Sequence, residues 1–171
     1  MTMYFPDVPF SYLYSLKFIL WRDVLWALEC GLISDEFVVG LANHHLELGD
    51  YHDLELDLAL MNDSFDIRGC LNKLANVSGR GYPASDSKSK WLFIALKWLF
   101  EKKSEIEDPL GKVELIYEDF DFPVEIESFV RYMPPSDGYQ PQQHTLKENQ
   151  NRLYENWAAY IEKTEVSLDE R

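Results

Sequence analysis

The sequence predicts an all-α chain of seven to eight helices in one domain spanning 1–171. The helices should pack as antiparallel hairpins around an apolar central helix. Three observations predict this. Apolar residues recur at steps of three and four along most of the chain, the spacing of a helix with one buried stripe. Residues that start and stop helices bracket those stretches, as Gly31 and Ser34 do. The run from Ser89 to about Lys103 is apolar almost all round, as expected of a helix that neighbours cover on every side.

Taken in order, Ser11 to Cys30 places Leu13, Leu16, Leu20, Val24 and Leu28 on one face, which predicts a single long helix. Gly31 is a left-handed stop just past its end. Ser34, followed by Asp35 and Glu36, starts a second helix. The hydroxyl caps orphan amides and the acids suit the positive helix end. That helix carries Phe37, Val38, Leu41 and Leu46 and stops near Gly49. The short link between the two predicts an antiparallel hairpin.

His52 to Met61 reads as a third helix, and Ile67, Leu71 and Leu74 mark a fourth. The stretch 77–90, with Gly79, Gly81, Pro83 and four serines, predicts a flexible loop. In the helix that follows, Lys90, Lys97 and Glu101 form one narrow polar stripe. Residues 113–120 alternate like a strand and also step like a helix. Helix is the choice, because no partner strand is evident.

Pro123 suits a first helical turn, with Ile126, Phe129 and Val130 on its apolar face. A polar loop over 134–144 follows. Thr145 and Glu148 form a capping box that opens the last helix, and residues 165–171 are expected to fray. The five tryptophans fall at helical spacing, which predicts core positions rather than interface anchors.

Composition limits function. The 171 residues include 30 Asp+Glu against 16 Lys+Arg, a formal charge of -14, with 46% hydrophobic residues. Such a chain can bury a core and is too apolar for a disordered acidic tail. The charge argues against nucleic acid and anionic membranes as partners, since both are gripped by Lys and Arg. Cys30 and Cys70 lie in apolar helical patterns and read as small hydrophobes. The N-terminus lacks the pattern of a secretory signal, so a cytoplasmic location is expected.

Catalytic signals are weak. His44, His45 and His52 lie near Asp53 in sequence, and a metal-dependent hydrolase built on these four is one alternative function. The spacing matches no zinc pattern, so no metal, cofactor or catalytic residue is expected. No serine has the Gly-x-Ser-x-Gly setting, and Ser78-Gly79-Arg80-Gly81 lacks the phosphate-binding ending. A non-enzymatic helical adaptor is the other alternative.

Charge distribution says more than its total. Between Arg22 and Arg68 there is no Lys or Arg, against eleven acids. From Glu105 to Glu127 nine acids face Lys112 alone. Two readings stand: a solubilising face, or a surface built for a basic partner, whose association a complementary field accelerates.

The stretches YLYSLKFILWRDVLWALECGLIS, LANHHLELGDYHDLELDLALMND and DFDFPVEIESFVRYMPP resemble a bacterial family catalogued as a domain of unknown function. Some of its members are similar to immunity proteins of contact-dependent growth inhibition and related polymorphic toxin systems. The resemblance implies a cytoplasmic protein that binds one cognate toxin, a nuclease cleaving (t)RNA, and covers its basic substrate surface. No functional residue is carried over from the family. The acidic blocks themselves nominate two toxin-binding clusters: Asp50, Asp53, Glu55 and Asp57, and Glu118, Asp119, Asp121 and Glu125.

Overall fold

The computed structural model describes residues 3–77 and 84–170. Among these the chain is all α, with eight α-helices, three short 3-10 turns and no strand. Residues cluster into two compact units, Asp7–Trp91 and Leu92–Arg171, the second also taking in Tyr4–Pro6. The boundary falls within one helix.

The first unit holds α1 (Phe10–Tyr14), α2 (Trp21–Glu29), α3 (Asp35–Leu48), α4 (Asp53–Ala59), α5 (Ser64–Val77) and the beginning of α6 (Ala84–Glu101). The single helix expected over Ser11 to Cys30 is broken between Tyr14 and Trp21. Here a buried polar group overrides the periodicity. Asp23 Oδ2 accepts the Leu20 N–H at 2.8 Å, and the Lys90 ammonium donates to the Phe18 carbonyl at 2.9 Å. Those backbone groups thus find partners outside a helix, which removes the cost of interrupting it. Gly31 is left-handed, as expected, with φ of 75°. Ser34 caps α3 by accepting the Phe37 N–H, and Gly49 ends it with φ of 78°.

α3 packs on α4, and α2 packs on α5. The sequence reading paired α2 with α3 instead. A short link fixes how near two helix ends lie and leaves their axes free to diverge. Val24, Ala27, Phe37, Val38, Ala42, Leu58 and Leu71 are fully buried in this unit. Cys70 is buried and Cys30 half-buried, and burial pushes both thiols up, consistent with packing roles.

Of the loop expected over 77–90, residue 77 and residues 84–90 are helical. α5 continues to Val77 and α6 starts at Ala84; residues 78–83 lie outside the described residues. Serines lower helix propensity, but Ser87 and Lys90 both reach Asp23, and that tertiary contact outweighs it. Lys90 is accordingly buried rather than part of an exposed stripe.

The second unit holds the rest of α6, α7 (Pro109–Asp119) and α8 (Leu146–Asp169), with 3-10 turns at Lys103–Glu105, Val124–Phe129 and Pro141–Gln143. Residues 113–120 lie in and just past α7, so their helical reading holds. Pro123 precedes a 3-10 turn instead of opening an α-helix: the Ile126 N–H bonds to Pro123 O and the Val130 N–H to Glu127 O, both i to i−3. The Thr145–Glu148 capping box is present in both directions, at 3.2 and 2.7 Å. α8 stays helical to Asp169, beyond residue 165 where fraying was expected to begin, and Glu165 pairs with Lys97. Trp157 is the fully buried centre of this unit, stacked on Phe129 and donating its indole N–H to Leu96 O at 3.1 Å. Trp21 and Trp91 are buried in the first unit, while Trp26 and Trp98 are half-buried. No helix among the described residues is long and apolar enough to cross a membrane.

Candidate functional site

α4 is set by its first turn. His52 caps it, accepting the Leu54 N–H on Nδ1 at 3.1 Å, while its own N–H donates to Glu55 Oε2 at 2.6 Å. Glu55 Oε1 accepts the Trp21 indole N–H at 3.0 Å and meets the His45 ring nitrogen. Glu55 is therefore buried. This corrects the expectation that it offers charge to a partner: a carboxylate saturated by internal donors is a structural node.

With Glu55 and Leu58 turned inward, α4 shows the opposite face to solvent. Asp53, Leu56, Asp57 and Leu60 lie at i, i+3, i+4 and i+7, within an arc of about 100°, and all four are exposed. Asp50 is exposed just before the helix. Leu48, Tyr51 and Phe65 continue the apolar character, and Leu60 and Phe65 keep 81% and 85% of their surface in water. Single exposed leucines are ordinary, but several exposed large apolar side chains within one short segment set this one apart. Asp53 and Asp57 thus share a face with the apolar Leu56 and Leu60, which the sequence had not singled out, and Asp50 is exposed ahead of it.

The second predicted cluster is divided. Asp119 is half-buried and accepts the Tyr4 N–H, so it holds the chain rather than facing solvent. Glu118, Asp121 and Glu125 are exposed, at the end of α7, in the following turn and at the start of the next. Asp121 and Phe122 adopt φ of 64° and 55°, left-handed conformations that cost about 1–3 kcal/mol each away from glycine. The Phe122 N–H bonds to Tyr117 O at 2.8 Å and its ring meets Tyr117 edge-on. Phe122, Val124, Leu115 and Tyr132 are exposed beside these acids. Acidic and apolar groups again occupy one surface.

The histidines do not converge. His44 stacks on Tyr14, His45 faces Glu55 and His52 caps α4. Among the described residues no group of three or more His, Cys, Asp or Glu is placed to hold a metal ion.

A groove in the second unit was not foreseen. It encloses about 490 Å³ between α8 and the segment that runs through Pro134, Pro135 and Tyr139. Arg152 ties it together, donating to Asp137 Oδ2 at 2.7 Å and lying 4.2 Å over the Tyr139 ring. The Tyr139 hydroxyl donates to Asn149 Oδ1 at 2.7 Å, and Asn149 Nδ2 donates to Pro141 O at 3.0 Å. At the other end Arg131 bridges Asp108 and Glu114, through contacts of 2.7 to 3.2 Å. Its hydrogen bond holds the Asp108 carboxyl below the usual range, and Glu114 and Asp108 hold the guanidinium charged. The signal was present in sequence as paired prolines before a capping box, but a polar loop shows its shape only when it folds back on a helix.

No curated protein and no solved structure matches this chain. Residues 12–165 match the family described as "Uncharacterized protein conserved in bacteria (DUF2247)". That match includes α2 to α7, both acidic–apolar surfaces and most of α8, and the chain belongs to this bacterial family.

Proposed function

We propose that this protein is an immunity protein: it binds a cognate toxin domain, a basic (t)RNA-cleaving nuclease, and neutralises it by covering the substrate surface. The observation that carries the reading is the exposed face of α4, where Asp53 and Asp57 alternate with Leu56 and Leu60. A nuclease must present Lys and Arg to phosphates. Carboxylates arranged against those groups steer the encounter, and apolar side chains between them supply the desolvated contact that slows release. Neither element requires a catalytic residue in this chain. The surface at Glu118, Asp121, Phe122 and Glu125 in the second unit has the same mixed acidic and apolar composition.

Co-expression tests the proposal. The reading frame adjacent to this gene is expressed in a sensitive bacterial host, with and without this protein, while growth and tRNA integrity are followed. Restored growth with intact tRNA, together with a stable complex on size exclusion, is the expected result. A toxic neighbour that this protein neither binds nor silences would overturn it.

A further inference from the structure

The groove of the second unit points to a binding activity separate from the α4 face. One wall is a single stripe of α8, in which Leu146, Asn149, Gln150, Leu153 and Asn156 follow helical spacing. Ten steps of about 1.5 Å give that wall a length near 15 Å. Four to five residues of extended chain, at about 3.3 Å each, span the same distance. Leu146 and Leu153 flank the exposed Gln150 on this stripe, whose side-chain amide can meet a backbone group of such a segment.

The opposite wall is held before any ligand arrives. Tyr139 is fixed by Asn149 and by the overlying Arg152, and Asn156 Nδ2 donates to Ser128 O at 2.8 Å. Such preorganisation lowers the ordering cost of binding.

Charge selects the occupant. Both guanidinium groups at the groove are already neutralised, Arg131 by Asp108 and Glu114 and Arg152 by Asp137. Glu127, also on the lining, receives the neutral Tyr117 hydroxyl at 3.0 Å. Glu127 and Asp137 balance the two guanidinium groups on the lining itself, and Asp108 and Glu114 behind Arg131 tip the site to net negative, so a ligand carrying positive charge complements it.

We propose that this groove binds an extended, mainly apolar peptide segment of four to five residues carrying one Lys or Arg, presented by a partner protein. The site does not depend on the toxin reading, since it shares no residue with the α4 face.

The test titrates the full chain with three libraries of blocked pentapeptides. The central residue is fixed as Lys, Gln or Glu, and the others vary among Pro, Leu, Val and Ala. Binding is read by calorimetry and by nitrogen-15 shifts of the Asn149, Gln150 and Asn156 side-chain amides. The Lys library is expected to bind with shifts confined to those amides, and the Glu library about tenfold more weakly. Gln150→Lys, at an exposed position, should weaken the Lys library about tenfold with an unchanged melting temperature. The pair Asp53→Lys and Asp57→Lys should leave peptide binding intact even if it abolishes toxin binding. Equal binding of all three libraries, shifts outside the groove, or no saturable binding would overturn the proposal. Binding of small uncharged fragments where no peptide binds would overturn it too, in favour of a small-molecule site.

Discussion

Lys90 Nζ lies 2.8 Å from Asp23 Oδ2, and both side chains are buried within the first unit. The pair is fully satisfied. Asp23 also accepts the Ser87 hydroxyl at 2.7 Å and the Leu20 N–H, while Lys90 donates to Phe18 O. The Asp23 backbone carbonyl takes the Trp91 indole N–H at 2.8 Å. One carboxylate thereby fixes the end of the α1–α2 break, the start of α2 and the first turns of α6.

Breaking that pair should be costly. Asp23→Ala leaves a buried ammonium without its counter-ion and should destabilise the protein by about 3–5 kcal/mol. The double variant Asp23→Leu with Lys90→Met removes both charges and should recover a large part of the loss. Urea unfolding followed by circular dichroism measures both. A double variant no better than the single one would show that the individual hydrogen bonds, not charge pairing, set the cost.

Glu55 and Asp57 are two positions apart and should behave oppositely. Glu55→Ala takes the carboxylate away from the buried Trp21 indole, a loss of about 1–3 kcal/mol, and removes the capping acceptor of the His52 N–H at the start of α4. Its melting temperature should fall. Asp57→Ala removes an exposed carboxylate and should change stability by no more than about 0.5 kcal/mol. Differential scanning fluorimetry of both variants checks the contrast.

Acid should loosen the second unit. Hydrogen bonds from Arg131 and Arg152 hold the carboxyls of Asp108 and Asp137 below the ordinary range, and the Thr145 backbone does the same for Glu148. A carboxylate whose pKa is lower folded than unfolded stabilises the fold above its unfolded value, near pH 4. That contribution disappears as pH falls through the folded value. The carboxyl carbon-13 resonances of Asp108 and Asp137 should therefore keep their ionised positions from pH 7 to about 5 and move only below about pH 4. Arg152→Gln should remove the part of that response that comes from Asp137.

Much of this architecture was legible in the sequence. Gly31, Ser34, Gly49 and Thr145 act locally, through backbone conformation or a side-chain cap, and each stands where its chemistry demands. What escaped reading is set by distant partners. Nothing near Asp23 in the chain announces Lys90, sixty-seven residues away, so the break after Tyr14 and the early start of α6 were hidden. Glu55 looks like its acidic neighbours until Trp21 and His45 close on it. The acidic blocks were visible as runs of one sign. Their sorting into buried Glu55, half-buried Asp119 and exposed Asp53, Asp57 and Glu125 is a matter of which face each helix buries.

The most direct test of the central claim is the association rate of this protein with the toxin domain proposed as its partner, measured by stopped-flow at low and at physiological salt. For the variant carrying Asp53→Lys and Asp57→Lys, the account predicts association slowed about tenfold or more at low salt. The difference should shrink as salt screens the field, with the melting temperature unchanged. Equal rates for variant and wild type at both salt concentrations would contradict it.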